Sequence, residues 1–419
     1  MEKEARPSKK ARSSVDSAGL TALALRLANT FSEGKNIIFS PFSIFTALGL
    51  VAAGARGRTL EELLDVLGAS SREEVAEIVR GLAESALATG GSGPLTITFA
   101  CSVWHRDGLA LKTAYRDAAV ESYKAEARAV DFRGDPAGSR EVINNWVADA
   151  TNKLITSVLP PGSVHKDIML VLANAMYFKG KWEDRFHRSL TKDADFYHLD
   201  GSAVRVPFMT AGRLPTSDTE DEFCIEEEEE VKYFLACHDG FQVLKLPYQA
   251  VNGGRYSMCV FLPDAHDGLP SLASEMASSG AAFLFDHLPT TRSSVRNLLL
   301  PRFKLSFSSS MKNTLESFGL LAAFSVEADL SYHSYMAADD SGRDMKLRVE
   351  DVFHTAVVEV NEEGTEEAAS IAATHVRYCA ARMPLDFIAD HPFAFFIVEE
   401  LSGAVLLAGH VLDPSKNSE

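Results

Sequence analysis

The stretch VEVNEEGTEEAASIAATHVRYCA, residues 358–380, decides how the rest of the chain is read. It opens as a buried strand, with Val358 and Val360 alternating against Glu359. After Gly364 almost every side chain is small or polar, and nothing there can build a core. A second strand-like block, PFAFFIVEELSGAVLLAGHVL (392–412), follows directly and reads as a hairpin turning at Leu401-Ser-Gly403. Small side chains suit a segment that stays exposed between two core strands. Large apolar residues would stick elsewhere or aggregate while exposed. Gly364 supplies a pivot without a Cβ penalty. On composition alone the stretch reads as an exposed connection between two core strands.

The surrounding pattern is α+β. Thr59-Leu-Glu-Glu62 reads as a capping box before a helix with Leu60, Leu63, Leu64 and Leu67 on one face and Gly68 as its stop. REEVAEIVRGLAESALA places Val75, Ile78, Val79 and Leu82 at helical spacing, and SREVINNWVADATN does so with Val142, Ile143, Trp146 and Val147. LTITFACSVW (95–104) and PRFKLSF (301–307) alternate as strands. IMLVLANAMYF (168–178) is nearly continuous apolar, which suits a central strand covered on both faces. IIFSPFSIFTALGLVAAGA (37–55) carries no charge, but Pro41 and the hydroxyls of Ser40, Ser43 and Thr46 interrupt it. It reads as a helix buried in a core rather than a membrane span. Helices first and long strands later imply large sheets in one continuous domain over 15–415.

Bulk properties remove several classes of function. The 419 residues carry a net charge of −17, which argues against a nucleic-acid surface. Five widely spaced cysteines without a CxxC pair favour a reducing compartment over a disulfide scaffold. MEKEARPSKKARSS has no apolar core, so residues 1–14 read as a disordered basic tail and not a secretory leader. RPSKKAR leaves nuclear import open as a variant of a cytoplasmic location. Residues 217–230 (SDTEDEFCIEEEEE) hold nine carboxylates in fourteen positions and read as an exposed acidic loop insertion. No GxSxG, HExxH, Walker or GxGxxG motif is present. DDSGRDMKLRVE (339–350) departs from a calcium loop in its glycine position and its basic residues. No two of the twelve histidines stand at metal-ligand spacing. The sequence thus implies no cofactor, no metal and no catalytic residue.

Four longer stretches resemble the serpin family. They are NIIFSPFSIFTALGLVAAGARGRTLEEL, LVLANAMYFKGKWEDRF, VFHTAVVEVNEEGTEEAA and ADHPFAFFIVEELSGAVLLAGHVLDP. VPFM, GFQVLKLPY, DGLPSL and DHPFAF are most similar to its plant branch, the serpin-Z type, in which a missing signal peptide is common. The resemblance implies three β-sheets, eight to nine helices and an exposed reactive-centre loop over 362–386. It implies a suicide-substrate inhibitor rather than an enzyme. A serine or cysteine endopeptidase, chymotrypsin-like or trypsin-like, cleaves the loop, which inserts into the main sheet and traps the acyl-enzyme. A monomer with no nucleic-acid or membrane partner follows from the same likeness, and unconventional release from the cell stays open.

Site residues are carried over by position. The hinge is Glu362, Glu363, Gly364, Thr365, Glu366, Glu367, Ala368 and Ala369. Ser40, Ser43, Asn174 and His354 match the polar cluster, or shutter, beneath the centre of the main sheet. Trp182, Arg302 and Glu362 match the breach cluster where the loop begins to insert, with Arg302–Glu362 as a latch. Family spacing from Gly364 puts the reactive bond at Tyr378–Cys379, with Arg377–Tyr378 as the alternative and Arg382 behind both. Glu367 departs from the family, which has Ala there on the face that turns inward. Burying an unpaired carboxylate costs several kcal/mol. Slower insertion is expected, and so is a competing non-inhibitory reading in which the chain is cleaved as a substrate or acts as a binding protein. Ile371, bulkier than the usual Thr or Ser, adds a milder obstacle.

Overall fold

The computed structural model describes residues 17–31, 34–86, 93–211, 231–251, 253–331, 334–335, 347–364 and 384–416. The basic tail, the acidic insertion 217–230, and the hinge and reactive-bond residues from Thr365 to Arg382 lie outside them.

The main sheet has five strands: β1 (Leu95–Arg106), β2 (Glu126–Val130), β3 (Leu170–Gly180), β4 (Phe303–Ser310) and β5 (Asp351–Val360). They lie in the order β4-β5-β3-β1-β2. β5 is antiparallel to β4 but parallel to β3, its partners running from Asp351–Val171 to Val358–Phe178. β3 is antiparallel to β1, and β1 is parallel to β2. Two helices explain why β3 lacks polar alternation. Pro41–Ala52 packs against one face of the sheet, and Pro136–Ala150 covers the other through Ile143 and Val147. A strand covered twice needs apolar residues at both parities.

A second, ten-stranded system carries the hairpin Phe393–Glu399/Ala404–Val411 near one end. Strand Arg292–Pro301 joins its two halves. Its first three residues pair with Lys232–Cys237, and later ones with Ala203–Thr210 and, in parallel, with Leu385–Ile388. A two-stranded ribbon pairs Ala110–Leu111 with Ser334–Tyr335. Three sheets and nine α-helices among the described residues give the expected α+β class. None of those helices is long and apolar enough to cross a membrane.

Local details differ from the sequence reading in three places. The uncharged run 37–55 is divided: Ile37–Phe39 is a strand, and Ser40 caps a wholly buried helix by accepting the Ser43 amide at 3.1 Å. Proline at the first helical position suits that break. The capping box at Thr59 does not form, because the helix starts at Gly57. Thr59 Oγ1 instead accepts the Asp329 amide, and Glu62 accepts the Leu321 and Ala322 amides and pairs with Arg58. Gly68 does end that helix in a left-handed turn, at φ +62°. Val142 is half exposed rather than part of the helix's buried face. Trp146 turns toward the sheet and meets the edge of Trp104 at 5.9 Å.

Candidate functional site

The parallel seam between β3 and β5 holds a fully buried polar cluster. Asn174 and His354 are direct register partners across it, and Ser40 and Ser43 reach it from the start of the helix beneath. The Ser40 amide donates to His354 Nε2 at 2.9 Å, so that nitrogen carries the lone pair. His354 Nδ1–H then donates to Asn174 Oδ1 at 2.5 Å, and the Ser43 hydroxyl donates to the same oxygen at 2.7 Å. Asn174 Nδ2 returns a bond to the Phe353 carbonyl at 2.9 Å, across the seam. Burial pushes the His354 imidazole down to a pKa of about 3, so it is neutral at physiological pH. The four sequence-predicted residues are therefore together. They form a bonded set spanning β3 and β5, and buried polar groups cannot separate without exchanging partners.

The second cluster sits where β5 ends. Asn361–Gly364 forms a tight turn, closed by the Gly364 amide on the Asn361 carbonyl at 3.1 Å. The turn is docked onto the chain leaving β3. The Trp182 amide donates to the Glu363 carbonyl at 3.1 Å, the Phe186 amide to the Glu362 carbonyl at 3.0 Å, and Trp182 Nε1 to the Asn361 carbonyl at 2.9 Å. Gly364 is at φ +90°, and a Cβ there would lie 2.2 Å from the Gly180 carbonyl oxygen. Only glycine fits both constraints. Trp182 stacks on Tyr248 at 4.4 Å, which fixes the indole under the turn.

Glu362 is buried, and its strongest partner was not legible in the sequence. Thr191 donates its hydroxyl to Glu362 Oε1 at 2.7 Å, whereas Arg302 Nη1 stands 3.6 Å from the same oxygen. Arg302 is half exposed, which weakens the pair further. The expected Arg302–Glu362 pair stands at 3.6 Å, and Thr191 is the closer hydrogen-bond donor to Glu362. Arg188 pairs with Glu363 at 2.8 Å and adds a second clamp on the turn. Neither Thr191 nor Arg188 stands in a pattern that sequence could single out, because the short turn Arg188–Leu190 reaches β5 only in three dimensions.

His354 has both ring nitrogens committed to hydrogen bonds, so it has no free lone pair to serve as a base. The Cys101 and Cys259 thiols are pushed up to about 12 by burial, far from the thiolate form. The site consists of a zipped parallel seam, a polar set beneath it, and a turn at its upper end.

A family model described as serpin (serine protease inhibitor) matches residues 18–414, and the chain belongs to that family. Its members are generally protease inhibitors and not enzymes. The chain is 49% identical to Serpin-Z2A of Oryza sativa subsp. japonica, over 96% of this chain and 99% of that one. It is 46% identical to rice Serpin-Z2B, over 95% and 97%. The fold is similar to that of Arabidopsis AtSerpin1 in its native stressed conformation, with a TM-score of 0.82, 33% identity, and 97% and 100% of the two chains covered. Serpin48 of the insect Tenebrio molitor, described as a highly specific serpin, matches at a TM-score of 0.75 and 28% identity, over 97% and 100%.

Proposed function

We propose that this chain is a single-use protease inhibitor that acts by loop cleavage and strand insertion. The observation that carries the reading is the direct parallel pairing of β3 with β5 in an otherwise available sheet, with the Asn361–Gly364 turn at its upper end. A chain that turns back after Val360 runs antiparallel to both strands. It can replace one parallel ladder with two antiparallel ones, which are slightly stronger per residue. A serine or cysteine endopeptidase attacks the Tyr378–Cys379 bond, or Arg377–Tyr378, and its nucleophile becomes acylated by the loop. Release of the new amino terminus frees the hinge, the loop enters the seam, and the attached enzyme is dragged and distorted before water can deacylate it. The domain over 15–415 acts as a monomer inside the cell, where its thiols stay free.

Mixing the full chain with chymotrypsin-like and trypsin-like proteases is expected to give an adduct that survives denaturing electrophoresis. Mass spectrometry of the released peptide identifies the bond. Complete cleavage with no adduct for any protease overturns inhibition. Glu367 favours a second reading, a serpin that is only cleaved or only binds. Glu367→Ala separates the two, because a gain of adduct assigns the failure to insertion speed.

A further inference from the structure

Far from the seam, two histidines and an aspartate converge at the corner where strand Leu385–Ile388 turns into Phe393–Glu399. His266, Asp390 and His391 each offer a ligand atom, all within 4.8 Å of one another. Their separation in sequence, about 125 residues, hid them from any spacing motif. His391 is buried, Asp390 half-buried and His266 exposed, so the group opens to solvent on one side.

The hydrogen bonds of His391 have the form of a prepared ligand. Its Nε2 lies 2.7 Å from the Pro263 carbonyl, a pure acceptor, so that nitrogen must carry hydrogen and the ring is anchored. A metal-bound imidazole commonly donates its second nitrogen to a backbone carbonyl in this way. Nδ1 is left facing Asp390 Oδ1 at 2.8 Å. Two lone pairs cannot meet at that distance, so a proton lies between them, in the position a cation would take. The His266 ring stacks on His391 at 4.6 Å and 14°, and touches Tyr197 on its other side at 5.2 Å. Stacked rings do not aim nitrogens at one point. His266 must therefore turn about its side-chain bonds, which its exposure permits. Tetrahedral zinc holds its ligand atoms about 3.3 Å apart, so the His391–Asp390 pair, at 2.8 Å, opens slightly while the His266 nitrogen moves in from within 4.8 Å.

We propose that His266, Asp390 and His391 form a surface site for a divalent transition metal of the Zn²⁺ class, completed by water. On binding, the shared proton leaves to solvent and the ion bonds to His391 Nδ1, an Asp390 oxygen and a His266 nitrogen. The ion would staple the turn after strand Tyr256–Pro263 to the corner through which the chain leaves Leu385–Ile388. This inference does not depend on the inhibitory reading.

The test titrates the intact full chain with ZnCl₂ by calorimetry, and with CoCl₂ by visible absorption. Wild type is expected to show a saturable one-to-one event, a Co²⁺ d–d band of four-coordinate intensity, and a raised melting temperature. His266→Ala, at an exposed position, should fold normally, lose the band, and bind that equivalent at least about tenfold more weakly. Asp390→Asn should weaken binding in the same direction. Identical titrations of wild type and His266→Ala, or a Co²⁺ band that survives the substitution, overturn the site and assign any binding to other groups.

Discussion

Two deeply buried histidines contribute to how the protein responds to acid. Burial holds His354 at about 3 and His410 at about 4, both below the ordinary 6.5 of an unfolded chain. As pH falls below 6.5 the unfolded chain takes up protons that the folded one refuses. Stability therefore drops with falling pH, by about 1.4 kcal/mol per unit for each histidine. The loss stops growing near pH 4 for His410 and near pH 3 for His354, where the folded forms protonate too. The two differ in what they hold. His354 is bonded on both ring nitrogens, whereas neither nitrogen of His410 has a hydrogen-bond partner among the described residues. His410→Leu thus removes a proton-linked penalty without breaking a bond. It should raise stability at pH 5 by about 2 kcal/mol, leaving pH 7 little changed. His354→Leu should flatten the same slope yet lower stability at both pH values. Urea midpoints at pH 5 and pH 7 check both, and an unchanged slope in His410→Leu would refute the assignment.

At the scale of elements, the turn Asn361–Gly364 and the strands it joins rest on a few side chains that sequence ranks poorly. Arg302 and Glu362 are opposite charges and suggest a latch from their resemblance alone, but the closer partner is the neutral Thr191. Thr191→Val keeps the shape and leaves a buried carboxylate oxygen without its hydroxyl donor, a loss of about 1–3 kcal/mol. Arg302→Ala removes a half-exposed, longer pair and should cost no more than about 1 kcal/mol. Melting temperatures of the intact variants should therefore fall further for Thr191→Val, and the reverse order would restore Arg302 as the latch. The same gap between pattern and geometry explains the misread capping box. Thr59 and Glu62 have the spacing of reciprocal caps, yet both are taken by amides from 321–329. Val142 has helical spacing but sits at the margin of the buried stripe, where one step of about 100° decides exposure. Long strands were legible because their apolar runs are set by burial alone. Capping and latching were not, because their partners lie far away in sequence.

For the whole molecule, the strands could be read from sequence and the Ser40, Ser43, Asn174 and His354 cluster from the resemblance, while strand order could not. Nothing in LVLANAMYF or VFHTAVVEV states that the two run parallel and adjacent, since an apolar strand fits any central place in a sheet. That adjacency makes insertion a thermodynamic claim about the entire fold. If β3 and β5 part to admit about twelve residues, the gain is on the order of a dozen ladder bonds at about 1 kcal/mol each, offset by the ordering of the same residues. Burial and the release of the opened seam must supply the surplus. A surplus of several kcal/mol in a domain of this size moves the melting temperature by about 5 °C. Protein nicked within 365–383 and kept as the two-chain product should therefore melt at least that much higher than intact protein. Glu367→Ala should reach the higher transition sooner after nicking, because no carboxylate has to enter the sheet. Equal melting temperatures for nicked and intact protein would mean that the intact fold is already its own minimum. The parallel seam would then be an ordinary part of a finished sheet, and the tether between β5 and Leu385–Ile388 an ordinary surface loop.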